Sequence, residues 1–200
     1  LFRAKGMKDN ISGVILFDET LRQSAADETP LKEVISSTGA LPGIKVDTGA
    51  KNLAGSNNEK ITEGLDGLRE RLKDFYKLGA RFTKWRGVYN ISEGCPSNLA
   101  IKSNAHALAR YASLVQESGM VPIVEPEVLM EGNHSEKTCF DCTSKVLDEC
   151  FKELILNKVD LSGIILKPNM ILAGNKSKEK ISNEEVAKLT LDCLKSSVPS

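Results

Sequence analysis

Short apolar runs alternate with long amphipathic stretches along the whole chain. Five runs are too short for buried helices and suit strands covered on both faces: 12–17 (SGVILF), 42–46 (PGIKV), 81–85 (RFTKW), 121–126 (VPIVEP) and 163–168 (GIILKP). Between them the spacing predicts helices. Residues 63–78 place Leu65, Leu68, Leu72 and Phe75 on one face and close at Gly79. Residues 96–118 carry Leu99, Ala107, Leu108, Tyr111 and Leu114, and residues 136–157 carry Val146, Leu147, Cys150, Phe151 and Leu154. The last helix, 183–195, opens with a capping sequence at Ser182. Residues 20–36 read as a helix broken by Pro30. Such strand–helix alternation implies an α/β fold with a parallel sheet and right-handed crossovers.

Composition narrows the class. Of 200 residues, 40% are hydrophobic, and 27 basic residues balance 27 acidic ones. This excludes a disordered tail, a collagen-like repeat and a disulfide-dense mini-protein. Zero net charge argues against bulk binding to nucleic acid or an anionic membrane, so neither is expected as a partner. No apolar run reaches the roughly 20 residues of a membrane span, and the N-terminus lacks the apolar core of a signal peptide. Five cysteines, Cys95, Cys139, Cys142, Cys150 and Cys193, are an odd count that fits reduced thiols in a cytoplasmic protein. Cys139 and Cys142 form a CxxC, with His134 five residues upstream, but nothing nearby completes four zinc ligands. No metal site is expected.

Each strand run delivers ionisable groups at or near its C-terminal end, the face that carries active sites in parallel α/β proteins. Asp18 follows the first run. Lys45 lies in the second with Asp47 just after; Lys84 and Arg86 close the third, Glu125 and Glu127 the fourth, and Lys167 the fifth. Ile164, Ile165, Leu166 and Pro168 surround Lys167 with apolar sequence. Burial there, with cations on neighbouring strands, would favour a neutral, nucleophilic amine of the Schiff-base type. A lysine snorkelling from a strand end into solvent fits the same spacing. Glu127 equally suits a salt-bridge partner, and Lys45 a local pair with Asp47. Trp85, between Lys84 and Arg86, belongs to the opposite face of its strand and reads as packing.

IKVDTG (44–49), GLDGL (64–68), ARFTKWR (80–86), ARYASLVQ (109–116), GMVPIVEPEVL (119–129) and GIILKPNM (163–170) together resemble class I fructose-bisphosphate aldolase, in register and in order. The resemblance implies a (β/α)8 TIM barrel that reversibly cleaves fructose 1,6-bisphosphate to dihydroxyacetone phosphate and glyceraldehyde 3-phosphate in glycolysis and gluconeogenesis. No cofactor or metal is implied, because a protonated imine is the electron sink. By the same resemblance Lys167 attacks the C2 carbonyl, and Glu125 shuttles protons through the carbinolamine. Glu127 is a carboxylate of the lysine network, and Lys84 stabilises charge beside the imine. Arg86 and Lys45 are cations toward a substrate phosphate. A cytoplasmic homotetramer of the full-length chain is implied, with cytoskeletal or adhesin partners for some members. His106 and His134 match no site position.

The resemblance covers about strands two to six of the barrel. The expectation is therefore one partial catalytic domain over 1–200, an incomplete arc of about five βα units forming the central portion of a longer aldolase and inactive alone. The first strand with its aspartate, the segment after strand seven, the arginine of strand eight and the tyrosine-bearing tail are expected outside it. Thr48 stands where lysine is common, and ILAGNKSK where the family often reads VTPG. Two other readings are open: a catalytically silent scaffold, and another lysine-dependent phosphoketose lyase. The EPE and LKPNM motifs favour the aldolase over the lyase.

Overall fold

In the computed structural model, which describes every residue except Cys95, Glu179, Lys180 and Ser200, seven strands follow one another along the chain. They are β1 (Gly13–Leu16), β2 (Leu41–Lys45), β3 (Gly49–Asn52), β4 (Lys60–Glu63), β5 (Phe82–Tyr89), β6 (Val121–Val128) and β7 (Ile165–Leu166). Five of them pair in parallel in the order β1-β2-β5-β6-β7, and β3 pairs with β4 as an antiparallel hairpin. Helices α1 (Met7–Asn10), α2 (Asp18–Arg22), α3 (Leu31–Ser36), α4 (Leu68–Lys77), α5 (Asn98–Glu117), α6 (Glu136–Leu156) and α7 (Asn183–Ser197) complete the chain. Among the described residues no helix is long and apolar enough to cross a membrane.

The sheet has two unlike faces because side chains alternate along each strand. On the outer face Ile44, Trp85 and Val124 are fully buried; behind β5 and β6 lie α5 and α6, which contribute Leu108, Tyr111, Val115, Leu147 and Leu154. Burying each such side chain contributes about 1.5–3 kcal/mol. Trp85 and Tyr111 rings lie 5.4 Å apart. Tyr111 Oη shares a 2.7 Å hydrogen bond with Thr83 Oγ1 and donates to Ile123 O at 3.2 Å. On the inner face the Phe82 ring fills the space over Gly43, where any Cβ would lie 2.3 Å from it. Ile15, Leu41, Val121 and Ile165 share that face and stay exposed.

Several boundaries differ from the sequence expectation. The helix expected over 63–78 begins only at Leu68, because residues 60–63 belong to the hairpin and Gly64 and Gly67 take positive φ of 127° and 62°. Asn104 of α5 holds the hairpin in place. Its Oδ1 accepts from Thr62 N at 3.2 Å, and its Nδ2 donates to Lys60 O at 2.8 Å and Ala100 O at 3.1 Å. Glu59 accepts from Ser97 N at 2.7 Å, tying the hairpin to the start of α5. Residues 20–36 divide as expected at Pro30, which precedes α3. Leu99 is exposed rather than part of the packed face. The strand expected over 163–168 keeps only two ladder residues, because 161–163 form a 3-10 turn and Pro126 of β6 has no N–H to donate to Lys167 O. The capping box at Ser182 and Glu185 forms as the sequence suggests.

Candidate active site

The register gathers the strand-end charges on the inner face. Lys45 stands opposite Lys84, and Arg86 opposite Glu125. Glu127 lies two residues beyond Glu125 on the same face, and Lys167 two beyond Ile165. All six expected site residues therefore share one face, at one end of the sheet.

Glu125 is the centre of the cluster, with its side chain only 4% exposed. Lys167 Nζ donates to Oε1 of this carboxylate. Lys84 Nζ lies 2.5 Å from Oε2 but off the hydrogen-bond direction, so Oε2 is an ion-pair oxygen that accepts no hydrogen bond from the described residues. One buried carboxylate thus bridges two ammonium groups. Arg86 Nη1 donates to Glu127 Oε2 at 2.9 Å, in a more exposed pair. Lys45 Nζ donates to Asp47 Oδ1 at 2.5 Å and to Asp47 O at 3.1 Å, the local pair the sequence allowed. Its ammonium also lies 5.8 Å from the centre of the Phe17 ring.

Within these 200 residues 54% of the Lys167 side chain is exposed, on β7, the last strand of the five-stranded sheet. One expectation needs correction: the neighbouring cations do not stand unopposed around it. Lys84, Arg86 and Lys45 each have a carboxylate, and Lys84 shares Glu125 with Lys167, so four cations stand against three carboxylates rather than as a bare cationic cluster. Asp18 faces Arg22 of its own helix at 2.7 Å and takes no part.

The remaining candidates lie elsewhere. His106 is exposed and its Nδ1 lies 2.9 Å from Glu153 Oε2. His134 is buried, with neither ring nitrogen bonded to a described residue, and burial lowers its pKa. Cys139 and Cys193 are buried and Cys142 partly so, and burial raises all three thiols. Cys150 is pushed up to about 12 by burial and then by Glu153. Cys95 lies outside the described residues. Among the described residues no three His, Cys, Asp or Glu side chains gather as a metal site.

Asn169, which sequence reasoning passed over, ties β6 to α6 beside the cluster. Its position inside the LKPNM motif was the available signal. Its Oδ1 accepts from Val128 N at 3.1 Å, and its Nδ2 donates to Thr143 Oγ1 at 3.0 Å.

Against known proteins, the family model described as glycolytic, fructose-bisphosphate aldolase class-I, matches residues 1–200. The chain belongs to the class I fructose-bisphosphate aldolase family. A probable fructose-bisphosphate aldolase class 1 of Xanthomonas axonopodis pv. citri is 53% identical over 194 residues, covering 97% of this chain and 58% of the relative. The cytosolic fructose-bisphosphate aldolase 6 of Arabidopsis thaliana is 49% identical over 200 residues, covering 100% of this chain and 56% of the relative. Among solved structures, fructose-bisphosphate aldolase from Plasmodium falciparum, in complex with TRAP and a small-molecule inhibitor, superposes with a TM-score of 0.98 at 47% identity. That match covers 100% of this chain and 58% of the other. This aldolase-family chain therefore spans a little over half the length of these relatives, and its five parallel strands correspond to an arc of their barrel.

Proposed function

We propose that the protein carrying this chain is a Schiff-base aldolase acting on fructose 1,6-bisphosphate, with Lys167 as its nucleophile. The observation that carries this reading is the buried Glu125 carboxylate held between Lys84 and Lys167. The amine of Lys167 adds to the C2 carbonyl carbon, and the carbonyl oxygen takes a proton to give a carbinolamine. Loss of that oxygen as water, with a proton delivered by Glu125, leaves the protonated imine. A carboxylate in contact with the reacting amine is placed to take the amine's proton and return it to the leaving hydroxyl. Lys84, on the other oxygen of Glu125, supplies positive charge beside the reacting centre. Arg86 and Lys45 are the cations offered to a substrate phosphate, and Glu127 orients Arg86. The imine accepts the electron pair released on C–C cleavage, so the proposed chemistry needs no metal.

The name of the Arabidopsis thaliana relative supports a cytoplasmic location, and the family resemblance supports a homotetramer. Association with a second protein, as the Plasmodium falciparum aldolase has with TRAP, would be a separate activity of the same fold.

The test is to incubate the intact protein with dihydroxyacetone phosphate, reduce with borohydride and map the adduct. A stable adduct at Lys167, with activity retained in EDTA, is the expected result. An adduct at another lysine, or none, would overturn the assignment.

A further inference from the structure

The side chain of Lys167 is half-exposed, on the strand with the shortest ladder in the sheet. Strand β6 pairs with β7 only through Ile123–Ile165 and Val124–Leu166, extended by Lys167 N donating to Val124 O at 2.9 Å. The β6 N–H that would next bond this strand, at Lys167 O, belongs to position 126, which is Pro126 and has none, so the main-chain ladder lapses there. Yet β6 runs on for four more residues, and those carry Glu125 and Glu127.

One side chain spans this gap. Asn169 Oδ1 accepts from Val128 N at 3.1 Å, taking the N–H that a further β7 residue would have paired. Its Nδ2 donates to Thr143 Oγ1 of α6 at 3.0 Å and to Met170 O at 3.1 Å, and lies 3.9 Å from Cys139 Sγ. Thr143 and Cys139 are both buried, so this anchor lies inside the helix–sheet layer. A three-bond side-chain clamp therefore begins two residues beyond Lys167, between the strand that bears Glu125 and the helix behind it.

We infer that Asn169 is a positioning residue for Lys167: it takes up the pairing with β6 beyond the gap left by Pro126 and holds the lysine end of the strand where Nζ reaches Glu125. Its value for catalysis rests on the Schiff-base reading above; its effect on where Lys167 sits does not. A misplacement of about 1 Å at a reacting group costs about 100-fold in rate, so loss of the clamp should act on the chemical step more than on binding.

The test compares Asn169→Ala and Asn169→Asp with the unaltered protein. Asn169→Asp keeps an acceptor for Val128 N and loses the donor to Thr143. The first measurement needs no substrate: acylation of lysines by dilute acetic anhydride, followed residue by residue by mass spectrometry. In Asn169→Ala, Lys167 should label about fivefold faster because the amine is freed from its carboxylate, with Lys73 and Lys152 unchanged, and Asn169→Asp should recover most of the difference. The second is kinetic. Asn169→Ala should lower kcat for fructose 1,6-bisphosphate about 10–100-fold with KM changed less than about twofold. An unchanged Lys167 labelling rate, or equal labelling of the Ala and Asp variants, overturns the inference. Changed labelling in a protein that forms no borohydride-trapped adduct upholds the positioning role and overturns the aldolase reading. If Asn169→Ala does not fold, Thr143→Val, which removes only the buried acceptor, takes its place; an unchanged Lys167 rate there is equally decisive against it.

Discussion

Replacing Glu125 with glutamine separates the two halves of the three-charge cluster. Side-chain exposures are 4% for Glu125, 14% for Lys84 and 54% for Lys167, so the burden of burial falls on the Glu125–Lys84 half. Glu125→Gln preserves size but leaves the Lys84 ammonium nearly buried and without a counter-charge. Breaking a buried pair this way costs about 3–5 kcal/mol, and residual solvent at Lys84 places this site near the lower end. Lys167→Met removes a cation that is half in water and leaves Glu125 paired with Lys84, a loss of about 0–1 kcal/mol. In a domain of this size each kcal/mol moves Tm by about 2–4 °C, so Glu125→Gln should melt about 6–12 °C below the parent and Lys167→Met within about 4 °C of it. Calorimetric melts of the intact protein at one pH, supported by urea midpoints, make the comparison. The two variants should be alike in one respect only: loss of the trapped imine, total for Lys167→Met and severe for Glu125→Gln. Equal melting temperatures, or a Glu125→Gln protein within about 2 °C of the parent, would refute the assignment of the buried charge to the Glu125–Lys84 half.

Three further outcomes are expected. Gly43→Ala drives a Cβ to 2.3 Å from the Phe82 ring and should cost about 1–3 kcal/mol in urea titrations, with Phe82→Leu in the same chain recovering at least half. Burial holds Cys150 up at about 12, against an ordinary 9.0, so above pH 9 the unfolded chain loses its proton first. Stability should therefore fall as pH rises through that window, and Cys150→Ala should flatten the decline in the urea midpoint even while lowering stability overall. His134 runs the opposite way: burial lowers it below 6.5, so the unfolded state takes up the proton first as pH drops. The urea midpoint should fall below pH 6.5, and His134→Gln should remove part of that acid slope.

What could be read from the sequence divides along a physical line. The parallel sheet and its charged edge were legible because alternation fixes which residues share a face: Lys84, Arg86, Glu125 and Glu127 follow from register alone. The hairpin was not. Its strands, GAKN and KITE, are short and mostly exposed, and their support comes from Asn104 and Thr62, which are 42 residues apart in the chain. Asn104, a polar residue among the apolar positions of α5, was the one available sign. The exposure of Lys167 escaped for a related reason. Apolar neighbours predict burial only when the strand has neighbours on both sides, and β7 is the last strand of the five-stranded sheet.

The pairing of every site cation also bears on how a phosphate could be received. In the proposed enzyme, Arg86 and Lys45 meet an anion with a carboxylate already held by each. Arg86 and Glu127 are 47% and 31% exposed, so their separation forfeits about 0–1 kcal/mol and lets both ions rehydrate. Lys45 is 25% exposed, but its partner Asp47 is only 3% exposed; Oδ1 accepts from Lys45 and from Gly49 N, and Oδ2 has no hydrogen-bond partner among the described residues. Moving Lys45 away would strand a buried carboxylate, the more costly kind of separation. A guanidinium can also meet a phosphate through two parallel N–H bonds, which an ammonium cannot. Arg86 is therefore the cation free to exchange partners. Lys45 reaches a phosphate most cheaply while still bonded to Asp47, as a fixed charge rather than a moving clamp.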